Sequence, residues 1–478
     1  MTLLAKGQAI YIAPANPAGR ALMARLSGQF SVSGLVDNLK QGDGIFPPTQ
    51  VVDAGAKIVI AAGGFQGAVI TGLLAQGLTA KSLLIEDEAG QLQPYRRPWL
   101  DLNALRRNTY IRLLGYLRRL PWRLKRVYYA EAFVDTNVML TFAAHRALDA
   151  NAAVLVVDKD SAIPSGLRGY SFESQPLRAL WHMVFARSFV IDHEYQSLTF
   201  TTLRRSVPVV QLWHGLPYKQ ITGNSHYPNI NDACFISSST WFNQQVFAAR
   251  FNAEDYLALG YPRNDVFFQS LSQRCWLNSE PLPRLREVQA QSGELIIYAP
   301  TFRDNQHNDY PLDLVAINQW CQQHQCAFIL KFHPFIYRLM AANGQVSASD
   351  SLVNYPNLEH VYIFPNGKNV YPWLAEAKML VTDYSSMAFD FMLSAKTIVY
   401  YQYDKEEYQQ VRGQPLIGDQ AFIQGEVACN MPQLLTAMSA SLETANVEYR
   451  AIADYNSQEQ ACVHGILKAI DKIEGQGS

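Results

Sequence analysis

The sequence predicts an α/β protein built on parallel sheets, with two consecutive Rossmann-like lobes facing each other behind a small N-terminal α/β domain. Three observations carry this reading. Short apolar runs of strand length alternate with helical segments along most of the chain, the rhythm of strand–helix–strand units. A polar, proline-bearing stretch at Asn278–Arg284 divides that alternation into two series. At 478 residues there is room for two or three cores. The expected boundaries are 1–92 for the small domain, 93–126 for a basic helical linker, 127–285 for the first lobe and 286–478 for the second.

Composition narrows the function before any motif is read. Forty basic and 41 acidic side chains leave a net charge of −1, so the molecule is not a whole-surface nucleic-acid binder and any anion binding is local. Hydrophobic residues make up 49% and charged residues 17%, which excludes wholesale disorder. Six cysteines without CxxC pairs suit neither a disulfide scaffold nor a zinc ribbon and point to a reducing compartment.

In the first ninety residues the apolar runs Gln8–Ile12, Val32–Val36, Lys57–Ala62 and Ser82–Glu86 read as strands, with Ala21–Leu26 helical. The N-terminus lacks a cationic leader before a long apolar stretch, which argues against a secretory signal. From Ile58 to Ala80 there is no charge, a length that spans a bilayer, yet five glycines and two glutamines fall within it. A strand, a Gly63-Gly64 turn and a helix from Gly67 is the better reading. The turn lacks the dinucleotide fingerprint.

Between Arg96 and Arg126 ten basic residues face the single acid Asp101, a net +9 over 31 residues interleaved with Trp99, Tyr110, Tyr116, Trp122 and several leucines. Such a mixture at helical spacing describes a surface helix for anionic lipid, or an inter-domain helix with a solvated basic face.

Beyond Val127 the strands of the first lobe read as Val154–Asp158, Arg187–Asp192, Val207–Leu212 and Cys234–Ile236, followed by Ser237–Ser239, a helix over Thr240–Arg250 and a turn at Gly260–Asp265. Those of the second are Leu295–Ala299, Ala327–Phe332, Val361–Ile363, Met379–Thr382 and Thr397–Tyr401. Ligands of open parallel sheets bind beyond the carboxyl ends of strands, and four unusual clusters lie there. His214 follows a strand and precedes Gly215, which permits close backbone approach. Arg303 sits just after another strand, where it would clamp phosphate or pair with Asp304. His333 ends a third, with Lys331 on the same side by period two. Finally Asp383, Ser385 and Ser386 join a strand to a helix start, where free N–H groups and hydroxyls would gather an anion; ordinary capping predicts the same residue types. A phosphoryl-transfer site needs fixed donors and cations for a diphosphate and a group of near-neutral pKa for the acceptor hydroxyl.

The stretches Gln211–Lys219, Gly260–Asp265, Tyr298–Asp304, His333-Pro334 and Thr382–Ser386, the last followed by Phe389-Asp390-Phe391, occur in the order and context of the CDP-glycerol glycerophosphotransferase family of teichoic-acid primases and polymerases. The sequence resembles that family over about residues 130–470. The resemblance implies a GT-B fold with the acceptor on the first lobe and the CDP donor on the second. It implies that an acceptor hydroxyl attacks the β-phosphorus of CDP-glycerol or a related CDP-polyol, forming a phosphodiester in a teichoic-acid-like or capsular polymer and releasing CMP. The acceptor would be a glycan or polyol phosphate, lipid-linked, and the enzyme would work in the cytoplasm on the inner membrane face. At matching positions His214 looks like a general base, His333 a stabiliser of the transferring phosphate, Arg303, Ser385 and Ser386 donors to the diphosphate, and Asp383 the family's acid at the strand end. Lys331 and Arg263 join them on geometry as phosphate ligands. No tightly bound cofactor is expected: Mg2+ would at most assist the diphosphate, since no carboxylate cluster marks a metal cage. The chain departs from the family at Leu216 and Tyr218, where threonine and leucine are common, and at Asn456–Ala461, which lacks the usual Asp-Gly.

Two other classes share these features. A GT-B nucleotide-sugar glycosyltransferase also needs a diphosphate site, but transfers a sugar at carbon. A non-catalytic binding module predicts that His214 and His333 are dispensable.

Overall fold

The computed structural model describes residues 10–37, 42, 44–53, 56–61, 66–86, 90–95, 102–219, 221, 232–301, 303, 310–333, 336–337, 340–341, 343, 349–412 and 415–476. The chain divides into two compact units, Met1–Tyr110 and Ile111–Ser478.

The first unit carries β1 (Ile10–Ala13), β2 (Val32–Val36), β3 (Ile45–Phe46), β4 (Lys57–Ile60), β5 (Leu83–Glu86) and β6 (Leu92–Pro94) in the order β3-β2-β1-β4-β5-β6. All pairs are parallel except β5–β6. The uncharged run from Ile58 is split between β4 and a helix at Gln66–Ala75. Among the described residues no helix is long and apolar enough to cross a membrane. The expected Gly63-Gly64 turn lies outside the described residues.

The second unit holds two seven-stranded sheets. The first comprises β7 (Lys125–Ala130), β8 (Ala153–Val157), β9 (Tyr170–Ser171), β10 (Ala186–Ile191), β11 (Val209–Gln211), β12 (Asp232–Ser237) and β13 (Ala253–Ala258), ordered β13-β12-β11-β10-β7-β8-β9. Every pair in it is parallel. The second comprises β14 (Glu294–Ala299), β15 (Cys326–Leu330), β16 (Val353–Asn354), β17 (Val361–Ile363), β18 (Met379–Thr382), β19 (Thr397–Tyr401) and β20 (Glu426–Ala428), ordered β16-β17-β15-β14-β18-β19-β20. Only β16–β17 is antiparallel. Strands such as β8 and β15 are buried at every position, which is why they read as unbroken apolar runs: both faces of a parallel sheet are covered. Edge strand β13 carries exposed Glu254 and Asp255 and so leaves no such trace. In each sheet the strand order reverses once, between β7 and β10 and between β14 and β18, and a crevice opens at such a point beyond the strand ends.

Two local outcomes differ from the sequence reading. The helix after β12 is shorter than expected: an α-turn at Thr240–Phe242 widens into a π-turn at Asn243–Phe247. The C-terminal helix Val463–Gln476 packs not on the second sheet's lobe but on helix Thr136–Leu148 of the first. There Asp471 and Glu474 meet the buried Arg126 at 2.6 and 2.9 Å.

The basic segment contains helix Leu102–Arg118. Its charges are not equivalent. Arg118 is buried and donates to the carbonyls of Ala186 (2.8 Å), Val184 and Ser206, and burial, with Arg123 nearby, lowers its pKa to about 10. Arg123 turns back onto the carbonyls of Leu120, Trp122 and Arg118. Arg112 and Arg119 stay exposed beside exposed Leu113, Tyr116, Leu120 and Trp122.

Candidate active site

A cleft of about 540 Å³ opens where the two sheets of the second unit present their carboxyl ends. His214 enters it from just beyond β11, Thr301 from beyond β14, His333 from beyond β15, and Ser385 and Ser386 from beyond β18. Thr301 and the serines therefore flank the second sheet's strand-order reversal, where two neighbouring strands lead their following loops apart.

The His214 wall is built in layers. Trp213 takes a left-handed φ of 50°, a conformation a bulky residue holds only when its surroundings insist. Its N–H donates to Gln211 Oε1 (3.0 Å) and its carbonyl accepts from Asn137 Nδ2 (2.9 Å). Gly215, at φ 132°, passes so close to Arg263 that a Cβ would stand 2.3 Å from Nη2, which is the reason for glycine there. Arg263 in turn donates to the His214 carbonyl (2.6 Å) and pairs with Asp390 (2.6 Å). Asp390 also accepts from Asn264 (3.0 Å) and the Tyr371 hydroxyl (2.7 Å). One buried carboxylate thus ties the His214 turn to the helix that follows Ser386.

His214 Nδ1 lies 3.1 Å from the Asp192 carbonyl. Donation to that oxygen places the proton on Nδ1 and leaves Nε2 as an acceptor. The ring stacks on His193 at 4.2 Å and lies tilted against Trp213 at 4.1 Å. Burial first, then His193 and Arg263, push its pKa down to about 3, so the ring is neutral at ordinary pH. His193 behaves oppositely. Burial works against its charge, but its 2.9 Å bond to the Asp192 carboxylate and the charges of Asp192 and Asp135 outweigh that and raise its pKa.

The facing wall presents small donors. Asp383 accepts from the Thr301 N–H (2.9 and 3.1 Å) and from the Tyr384 N–H, and pairs with Arg303 at 2.8 Å. Arg303 also meets Asp404 (2.7 Å) and donates to the Thr301 carbonyl (2.6 Å). Burial alone would weaken this guanidinium, but Asp383 and Asp404 hold it protonated above its ordinary range. The backbone carrying Thr301, Ser385 and Ser386 is thereby fixed, while the Thr301 hydroxyl has no hydrogen-bond partner among the described residues. Ser385 Oγ accepts from the Met387 N–H at 3.3 Å. His333 is exposed.

Of the residues singled out from sequence, His214, His333, Ser385 and Ser386 line one cleft. Arg303, Asp383, Arg263 and Lys331 do not line it. The first three are engaged with carboxylates, guanidinium or backbone as described, and Lys331 lies 5.7 Å from the centre of the Phe364 ring, its pKa lowered by burial to about 8. Asp304 and Pro334 lie outside the described residues. The cation that does line the cleft is Lys219; it stood in the Gln211–Lys219 stretch without a role. Sequence reasoning also missed His193, which follows the end of β10, and Asn137, in the first turn of helix Thr136–Leu148, while Gln211 stood in the same stretch as Lys219 without a role. Among the described residues the lining contains no carboxylate, and no group of three or more His, Cys, Asp or Glu is placed to hold a metal.

Both departures from the family pattern have structural partners. Tyr218 stacks on Phe422 at 4.0 Å, its carbonyl accepting from the Leu416 N–H (2.9 Å). Gln458 accepts from the Tyr261 N–H (2.9 Å) and donates to Asp265 (3.2 Å).

Known proteins resemble this chain in the same region. Residues 118–461 match the family model described as CDP-Glycerol:Poly(glycerophosphate) glycerophosphotransferase. The teichoic acid poly(ribitol-phosphate) polymerase of Bacillus spizizenii is 24% identical over 294 residues, 57% of this chain and 44% of that protein. The teichoic acid poly(glycerol phosphate) polymerase of the same organism is 25% identical over 260 residues, 49% and 60% respectively. The chain thus spans about half the length of the curated relatives it matches. The wall teichoic acid polymerase TagF superposes with a TM-score of 0.55 at 16% identity, covering 79% of this chain and 99% of that one, a likeness of fold. Because the matched segment takes in both seven-stranded sheets and every wall of the cleft, the chain belongs to the CDP-glycerol:poly(glycerophosphate) glycerophosphotransferase family.

Proposed function

We propose that this chain transfers glycerol phosphate or a related polyol phosphate from a CDP-polyol to a hydroxyl of a teichoic-acid-like acceptor, using two facing GT-B lobes. These are residues 127–285, extended by the C-terminal helix, and the remainder of 286–478. The observation that carries this reading is the single cleft into which His214 and His333 enter from different sheets opposite paired serines.

In this reading the acceptor hydroxyl lies against His214 Nε2, which takes its proton as the oxygen attacks the β-phosphorus. The bond from that phosphorus to the bridging oxygen breaks and CMP departs with the electron pair. The free imidazole has a low pKa, but a diphosphate in the cleft adds negative charge beside it and raises its basicity. His333, Lys219 and the hydroxyls of Thr301, Ser385 and Ser386 stabilise charge on the transferring phosphoryl oxygens. Arg303, Asp383 and Arg263 act as positioning residues, one layer behind. Mg2+, where used, would arrive on the diphosphate; no step here runs through it.

The acceptor's lipid-linked end calls for an anionic membrane surface at the inner face of the cytoplasmic membrane. Support comes from exposed Tyr116, Leu120 and Trp122 beside Arg112 and Arg119, continued by exposed Leu177 and Trp181, whose ring lies 5.9 Å from that of Trp122.

The test is CMP release from CDP-glycerol against UDP- and CMP-sugars, with the product mass identifying the polyol. His214→Ala and His333→Ala should each abolish most turnover while leaving the unfolding midpoint nearly unchanged. Full turnover in both variants, or sugar transfer in place of CMP release, would sink the reading.

A further inference from the structure

At the opposite end of the first sheet, where β7 and β8 begin, lies a second cavity, of about 480 Å³, within the range of ligand pockets. Lys125 comes to it from the start of β7, Arg146 from helix Thr136–Leu148 and Arg168 from the loop before β9, alongside Phe142 and Tyr170. Among the described residues no carboxylate lines it and none of the three cations has a carboxylate partner. Elsewhere this chain balances such charges closely. Arg126 has Asp471 and Glu474, Arg204 has Glu194 and Asp232, and the neighbouring cavity lined by Arg118, Arg123 and Arg187 also contains Asp471 and Glu474. Three cations around one hollow repel each other, and that repulsion is relieved only by solvent, salt or a bound anion. A further clue lies behind the lining residue Tyr170. His182 packs against that ring at 4.7 Å, and its buried Nδ1 has no hydrogen-bond partner among the described residues. Burial and the charge of Lys125 lower its pKa.

We propose that this cavity is a second phosphate-binding site, remote from the cleft, that takes one phosphodiester group. Two arginine forks and an ammonium match a phosphodiester's oxygens. The chemistry is shared by an upstream unit of a polyol-phosphate chain and by an anionic lipid headgroup. Naming the chain as source rests on the proposed function; the site itself does not.

The experiment labels histidines with nitrogen-15 and follows the His182 imidazole by NMR while glycerophosphoglycerol is added to the full chain. A parallel arm uses vesicles of phosphatidylglycerol against phosphatidylcholine. The expected result is a saturable His182 shift with the soluble diester. In an Arg146→Gln/Arg168→Gln variant its affinity should be lower by about tenfold or more, from loss of charge-assisted bonds. CMP release with a short acceptor should be retained. A His182 response to phosphatidylglycerol vesicles alone, equally lost in the variant, keeps the site and assigns it to a headgroup. No saturable response in either arm, or equal affinity in the variant, overturns the proposal. Because the readout is binding, it stands or falls separately from the transferase reading, which CMP release tests.

Discussion

The two walls of the cleft solve different problems. On the first, one imidazole is held at several points: a carbonyl on Nδ1, the rings of His193 and Trp213 against it, and a guanidinium on its own backbone oxygen. On the second, the rigidity lies beneath the surface, in the Arg303–Asp383–Asp404 cluster, while small hydroxyls and an exposed imidazole face the opening. A base must present one lone pair in one direction. A phosphoryl group whose charge spreads over several oxygens is served by several donors, among which the small hydroxyls need not be individually dominant.

That contrast orders the expected losses. His214→Ala removes the imidazole acceptor of its wall and should lower kcat by about three orders of magnitude, read as CMP release. Asp390→Ala should cost less activity but more stability. It leaves the buried Arg263 charge uncompensated, a loss of about 3–5 kcal/mol, measured by urea unfolding. Activity in the folded fraction should fall as well, because Arg263 no longer steadies the His214 carbonyl. Ser385→Ala and Ser386→Ala should each cost about tenfold in kcat/KM. Losses there as large as that for His214→Ala would mean that the two walls are not divided as described.

The legibility of the molecule follows the same division. Buried parallel strands announce themselves as apolar runs, and several lead directly into polar residues, so the sheet core and His214, His333, Ser385 and Ser386 could be placed from sequence. Residue type alone did not distinguish an arginine that faces the cleft from one that braces it. Arg303 and Arg263 satisfy every sequence criterion for a phosphate ligand, yet the carboxylates that occupy them, Asp404 and Asp390, are 101 and 127 residues away. Likewise Arg118 and Arg123 read as lipid-facing charges until the carbonyls they cap are seen. Liposome binding should therefore respond to Arg112→Gln/Arg119→Gln, with the fold unchanged. Edge strand β13 escaped notice because its exposed acids erase the apolar pattern.

The smallest effect concerns the stacked imidazoles. His193 holds its proton more tightly than usual because of Asp192 and Asp135, and His214 less tightly, partly because of His193. Replacing His193 by glutamine keeps a hydrogen-bonding group for Asp192 but removes the cation. The His214 pKa should then rise, though burial, the larger influence, remains. The acid limb of the pH–kcat/KM profile should move upward by up to about one unit, with kcat at the plateau little changed. Stability gives a second readout. His214 is protonated in the unfolded chain below about 6.5 but in the folded chain only below about 3. Between those values the unfolded state binds more protons, so its contribution is complete above 6.5 and is lost as pH falls toward 3. In His193→Gln that window should narrow from its acid end. An unmoved acid limb with an unmoved window would show that His193 only packs against the base and does not tune it.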